Sequence, residues 1–169
     1  MIYRLYVEKK PDYAVEADAL LHDLQDYLGI RSLRHLRILN RYDISGIAEE
    51  EYQKAKATIF SEPPVDFTYD ETCDLSEADR VFAVASQPGQ YDQRTDAALE
   101  GMKLICGHDE ALVSTAKVIM LYGDINDVQY DMVKDYYINP LELVEVSMEK
   151  PKTLHRDYKA PKDVRFVQG

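Results

Sequence analysis

"VFAVASQPGQYDQRTDAALEG" (Val81–Gly101) reads as an edited copy of "LYVEKKPDYAVEADALLHD" (Leu5–Asp23). Each stretch holds an apolar segment, a polar or charged pair and then a proline, Pro11 in one and Pro88 in the other. Each continues through a tyrosine in a polar turn into an alanine-rich run. Ile2, Leu5 and Val7, interleaved with Tyr3 and Tyr6, spell a strand, and so do Val81, Phe82, Ala83 and Val84. The proline ends each strand because its nitrogen carries no hydrogen to donate. Ala17, Leu21, Leu24 and Leu28 then fall at helical spacing, matched by Thr95, Leu99, Met102 and Cys106. Gly29 and Gly107 follow directly and suit a left-handed helix cap. The prolines are 77 positions apart and the helical residues 78, a slip that fits a slightly longer turn in the second copy.

The correspondence runs on. Leu36, Ile38 and Leu39 resemble Val118, Ile119 and Leu121 as apolar strands, closed by Tyr42 and Tyr122. Ala48, Tyr52, Ala55 and Ile59 form one helical stripe, and Val128, Met132 and Tyr136 form its counterpart. Both helices end near a proline, Pro63 and Pro140, followed by the extended segments "VDFTY" and "LELVEV". The order strand, helix, strand, helix, strand is therefore written twice. It predicts an α+β fold with an internally duplicated β-α-β-α-β unit, a two-layer sandwich that forms a pseudo-dimer within one chain. One copy alone is near the size at which a core is marginal. The expected organisation is a first half over 1–75, a second over 76–150, and a linker or the start of a further domain over 151–169. The acidic stretch "DETCDLSEAD" (Asp70–Asp79) marks the boundary between the halves.

Bulk properties narrow the function classes. At 46% hydrophobic and 30% charged, the 169 residues can build a core. A net charge of −11 repels a phosphate backbone, so nucleic acid is not an expected partner. The basic run "RSLRHLRILNR" (Arg31–Arg41) reads as a strand with a solvated basic side. Two cysteines without paired spacing indicate neither a disulfide framework nor a zinc site. No apolar run approaches the ~18 residues of a membrane span, and the start does not read as a signal peptide, so the expected location is cytoplasmic.

Chemistry is sparse. There is no glycine-rich phosphate loop, no HExxH and no GxSxG. "CGHDE" (Cys106–Glu110) offers a thiol, an imidazole and two carboxylates, but neighbours around a capping glycine are expected to diverge, and His108 and Asp109 lack a spaced partner for a metal. His22 lies between Asp18 and Asp26 as a surface pattern, and His35 and His155 belong to no constellation. No catalytic, cofactor-binding or metal residue is therefore assigned. Two loops stand out, each read either as a rigid turn or as a contact surface: "SEPPVDF" with Pro63 and Pro64, and "PGQYDQR" with Gln90, Gln93 and Arg94. In the second loop Asp92 is expected to cap the following helix, whereas Arg94 has no evident local task and offers its donor fork to another surface.

"YRLYVEKKPDYAVEADALLHDLQDYLGI", "RILNRYDISGI", "IFSEPPVDF" and above all "FAVASQPGQYDQRTDAA" resemble the N-terminal region of the large single-chain phosphoribosylformylglycinamidine synthase, over about residues 1–155. The resemblance implies a non-catalytic assembly domain, similar to a dimer of the small PurS subunit, bridging the synthetase and glutaminase parts of an ATP- and glutamine-dependent ligase of purine biosynthesis. It implies ATP and magnesium in the parent enzyme and none in this chain, with the other domains of the same synthase as partners. Two other readings stay open: a stand-alone scaffold or binding protein with a duplicated ferredoxin-like fold, and a small enzyme with its site between the halves.

Overall fold

The computed structural model describes residues 1–90 and 92–154; Tyr91, His155 and the rest of the expected linker lie outside the described residues. In chain order the elements are β1 (Tyr3–Lys9), α1 (Val15–His22), β2 (Leu33–Ser45), α2 (Glu49–Thr58) and β3 (Asp66–Asp70). Then come β4 (Arg80–Ser86), α3 (Gln93–Cys106), β5 (Leu112–Gly123), α4 (Asp127–Tyr137) and β6 (Leu143–Val146). The strands form one six-stranded antiparallel sheet in the order β3-β1-β2-β5-β4-β6. The fold is α+β, and the strand order reads the same from either edge if the strands of each half are numbered alike.

Registers and turns recur with the sequence offset. β1 leaves β2 after Val7 faces Asn40, and β4 leaves β5 after Val84 faces Lys117. Lys9 faces Asp66 at one edge, and Ser86 faces Leu143 at the other. The amide of Lys10 donates to Val65 O at 2.8 Å, and that of Gln87 donates to Glu142 O at 2.8 Å. The turn before each edge strand closes with Val65 N–H to Glu62 O in one half and Glu142 N–H to Asn139 O in the other, both at 2.9 Å. Two glycines mark matching close approaches. A Cβ on Gly46 (φ +79°) would sit 2.2 Å from Glu110 O, and one on Gly123 (φ +145°) 2.2 Å from Ser32 O. Only glycine adopts these torsions with so little space.

The helices lie on one face, with α1 and α3 packed on core residues of both halves. Ala17 and Leu20 of α1, with Leu24 in the helical turn that follows it, pack with Leu33, Leu36 and Ile38 of the first half and with Phe82, Val84, Ile119 and Leu121 of the second. Ala98 and Met102 of α3 pack with Leu5, Val7, Tyr42 and Ile44 of the first. Full burial of the leucine, isoleucine, valine, phenylalanine and methionine side chains among these stabilises by roughly 1.5–3 kcal/mol each. The opposite face carries Tyr6, Leu39, Ala83, Val118 and Met120 beneath Cys73, Leu75, Ala78 and Met148. The acidic boundary stretch therefore covers part of the sheet.

Two readings of the sequence are corrected here. Val128, Met132 and Tyr136 are exposed at 69%, 38% and 41%, while Val133, flanked by Tyr130 and Tyr137, faces the core. α4 carries two apolar stripes, and tertiary packing selects the one that local spacing does not. In the same way Leu20 and Ala98 are buried where Leu21, Thr95 and Leu99 were expected, and those three are half-buried. The basic side of β2 is also not simply solvated. Arg41 is buried, and Arg37 forms a two-pronged ion pair with Glu8 at 2.6 and 2.7 Å, while Arg34 and His35 remain exposed.

Candidate functional site

Glu51, Cys106 and His108 meet at the corner where the N-terminus of α2 approaches the C-terminus of α3. Their ligand atoms all lie within 4.8 Å of one another, and each residue is half-buried. The local sequence explains the placement. Glu51 is the third residue of α2, and its Oε1 accepts the Ala48 N–H at 2.8 Å, which fixes the carboxylate and leaves Oε2 turned to His108. This is half of a capping box, since Ala48 has no side-chain acceptor to return. Cys106 is the last residue of α3, and Gly107 turns the chain with φ 75°. That left-handed step brings His108 back toward the thiol, so the expected divergence around the capping glycine does not occur. His108 Nε2 lies 3.2 Å from Glu51 Oε2, and its Nδ1 accepts the Glu110 N–H at 3.2 Å. The neutral ring therefore carries its proton on Nε2 and donates it to the carboxylate.

The electrostatics argue against a nucleophile. Burial, reinforced by the Glu51 carboxylate, pushes the Cys106 thiol up to about 11. The Ala48 N–H holds the Glu51 carboxyl below its ordinary range. At neutral pH the thiol keeps its proton, and the imidazole is turned to Glu51 as its hydrogen-bond partner. Cys106 is half-buried rather than fully enclosed at the end of its helix. What the trio offers is a thiol, an imidazole and a carboxylate able to converge on a metal ion.

The five contact candidates do not form one surface. Pro63 and Pro64 are exposed in the turn before edge strand β3. Gln90 is exposed by the opposite edge, where its Nε2 donates to Leu141 O at 3.2 Å. Those edges lie about 24 Å apart, five strand spacings across the sheet. Gln93 is exposed in the first turn of α3. Arg94 has the local task that the sequence concealed: its Nη1 donates to Asn40 Oδ1 at 2.6 Å, tying α3 to β2. Glu16, 78 positions earlier, makes the corresponding cross-half contact with Lys117 of β5. Asp92 caps α3 as expected, accepting the Arg94 and Thr95 amides at 3.0 and 3.3 Å, and it also accepts the Thr115 hydroxyl.

Where β1 leaves β2 a cleft of about 560 Å³ opens, lined among others by Glu8, Pro11, Arg37, Ile38 and Phe67. The matching gap between β4 and β5, at Ser86, Asp92, Thr115 and Tyr137, holds only about 150 Å³. Arg37 is kept on Glu8 and Tyr122 in the larger cleft, and Tyr69 donates to the same Glu8 at 2.9 Å. Burial and the Glu8 carboxylate push the Tyr69 hydroxyl up to about 12.

The sequence matches no protein-family model and has no significant match among curated proteins. Among the described residues no helix is long and apolar enough to cross a membrane. The contacts that sequence reading missed, Glu51 with His108 and Asn40 with Arg94, join residues 57 and 54 positions apart. The repeat offset is the one signal that pairs Arg94 with Glu16.

Proposed function

We propose that the chain is a non-catalytic assembly domain of phosphoribosylformylglycinamidine synthase, built as two PurS-like halves that arose by internal duplication. The observation that carries this reading is the recurrence of registers at one offset, together with the packing of α1 and α3 on core residues of both halves. A duplicated unit whose first helices join the two halves across a central seam is what a fused dimer requires. The sequence motifs "PGQYDQR" and "SEPPVD" supply the link to the synthase family. The protonated Cys106 and the carboxylate-bound His108 accord with a domain that positions others rather than reacting. In this reading the partners are the synthetase and glutaminase domains of the same enzyme, which hold ATP, magnesium and the glutamine-cleaving nucleophile. The exposed prolines beside one sheet edge and Gln90 beside the other give it two ends with which to bridge them. The test is complementation. A synthase lacking its N-terminal region is mixed with the purified chain, and amidine formation is followed with glutamine and with ammonia as nitrogen source. The chain should bind and restore the glutamine-dependent rate selectively, and alone should turn over neither ATP nor glutamine. Absence of binding and of any restoration would reject the assignment in favour of a stand-alone scaffold.

A further inference from the structure

We propose that Glu51, Cys106 and His108 form a Zn²⁺ site that staples α2 of the first half to α3 of the second. Three features of the corner carry this assignment. First, the donor set is that of zinc, a borderline ion that accepts thiolate, imidazole and carboxylate together and leaves a fourth tetrahedral position to water. Second, the spacing is close to that of a bound state. Ligand bonds of about 2.0–2.1 Å give a tetrahedral N···O edge of about 3.3 Å, and His108 Nε2 stands 3.2 Å from Glu51 Oε2. The thiol lies within 4.8 Å of both and needs a movement of about 1 Å to complete the face. Third, the carboxylate is already fixed, since Oε1 is held by the Ala48 amide and only Oε2 is offered.

The opposite corner of the molecule shows that the fold does not demand these residues. The positions 78 earlier than Cys106 and His108 are Leu28 and Ile30, and the one 78 later than Glu51 is Gln129. There Ile30 is buried in the core and Leu28 packs against it, while Gln129 serves the α4 cap. Apolar packing closes that corner, so the polar trio is an addition peculiar to the α2–α3 side.

Binding balances simply. Zn²⁺ displaces the thiol proton of Cys106 and the Nε2 proton of His108, the ring proton moves to Nδ1, and one proton is released to solvent. The Glu110 amide, in an exposed turn, exchanges its bond to Nδ1 for water. The site lies at the C-terminal end of α3, whose dipole favours a cation, and at the N-terminal end of α2, whose dipole opposes it, so the ligands and not the dipoles decide binding. A bound ion would lock together two helices from different halves that already meet tightly at Gly101, whose Cβ position is 3.0 Å from Ile59.

The test is Co²⁺ titration of the untagged full chain after removal of metals, with Co²⁺ as the spectroscopic stand-in for Zn²⁺. The expected result is one equivalent bound, with thiolate-to-cobalt charge-transfer absorption and the strong visible bands of tetrahedral coordination, both removed by Zn²⁺. Cys106→Ser should abolish the charge-transfer band, and Glu51→Gln, which can still cap α2, and His108→Gln should each weaken binding by at least about tenfold. Cys73→Ser should change nothing. Zn²⁺ should raise the melting temperature of the wild-type chain and leave that of His108→Gln unmoved. Folding of each variant is checked by its own metal-free melt. Absence of the charge-transfer band in the wild-type chain, its survival in Cys106→Ser, or its loss in Cys73→Ser overturns the proposal.

Discussion

Replacing Asp43 with asparagine removes one charge from a face where two guanidiniums are buried. Arg4 and Asp43 are 2% and 4% exposed and joined by two bonds, Nε–H to Oδ1 at 2.8 Å and Nη2–H to Oδ2 at 2.9 Å. Arg41, 6% exposed, stands two positions from Asp43 on the same side of β2. Burial and the nearby Arg4 charge lower its pKa, and Asp43 partly offsets both. Both arginines are anchored further by backbone. Arg4 donates to Met148 O and Glu149 O at 2.7 and 3.2 Å, and Arg41 donates to Ser147 O at 3.0 Å. Loss of the carboxylate charge therefore leaves two buried cations repelling one another without a counter-ion. Breaking a buried pair from one side costs about 3–5 kcal/mol. With an m-value of about 2 kcal/mol/M in urea, the unfolding midpoint should fall by about 1.5–2.5 M. The paired replacement of Arg4→Met with Asp43→Leu removes both charges and should be less destabilised than Asp43→Asn alone. Equilibrium urea unfolding followed by circular dichroism measures all three. A midpoint for Asp43→Asn within about 0.5 M of wild type, equivalent to about 1 kcal/mol, would show that the pair does not hold this face.

Two further outcomes follow from the caps and the core. Burial would raise the Asp92 carboxyl, but hydrogen bonds from Thr115 and Thr95 and the charge of Arg94 outweigh it and lower its pKa. A folded-state pKa below the unfolded value means that its stabilisation is complete above the ordinary carboxylate range and is lost as pH falls through the depressed value. Asp92→Asn should thus be less stable by about 1–2 kcal/mol at neutral pH and converge with wild type in acid, whereas parallel stability–pH curves would contradict the assignment. On α4, Val133→Ala should cost about 2 kcal/mol, and Met132→Ser on the neighbouring stripe should stay within about 0.5 kcal/mol in the same unfolding assay; the reverse order would restore the outward stripe to the core.

Local chemistry was legible in the sequence, and long-range partnership was not. Asp92, Gly29 and Gly107 could be read because a cap involves only the residues beside it, and the left-handed torsions of 72° and 75° at the two glycines agree with that reading. The order of elements was legible because periodicity switches with each strand and helix. The inward face of α4 was not, because Val133 and Met132 are neighbours in two equally plausible stripes. Arg94 looked idle because Asn40 is 54 positions away. The Glu51 corner was hidden for the same reason, since "CGHDE" supplies only two of its three donors. Arg4 and Asp43 gave no sign of burial, since a charged residue on a strand reads as solvent-facing until the segment covering that face is known.

The central seam has a consequence for how the chain reaches its native state. β2 pairs with β5 from Leu33 with Gly123 to Ser45 with Leu112, across 67 to 90 positions of sequence. Contacts of such separation close late and slow the search. On the ribosome, β2 emerges well before β5 exists to receive it. During that interval Leu33, Leu36, Ile38 and Leu39, which lie beyond the part of β2 paired with β1, have no strand beside them. Arg31, Arg34, Arg37 and Arg41 are spaced among them. Charges set between apolar strand residues discourage pairing with other nascent chains. Arg37 and Arg41, which end as the anchors of the finished sheet, thus begin as its protection against aggregation.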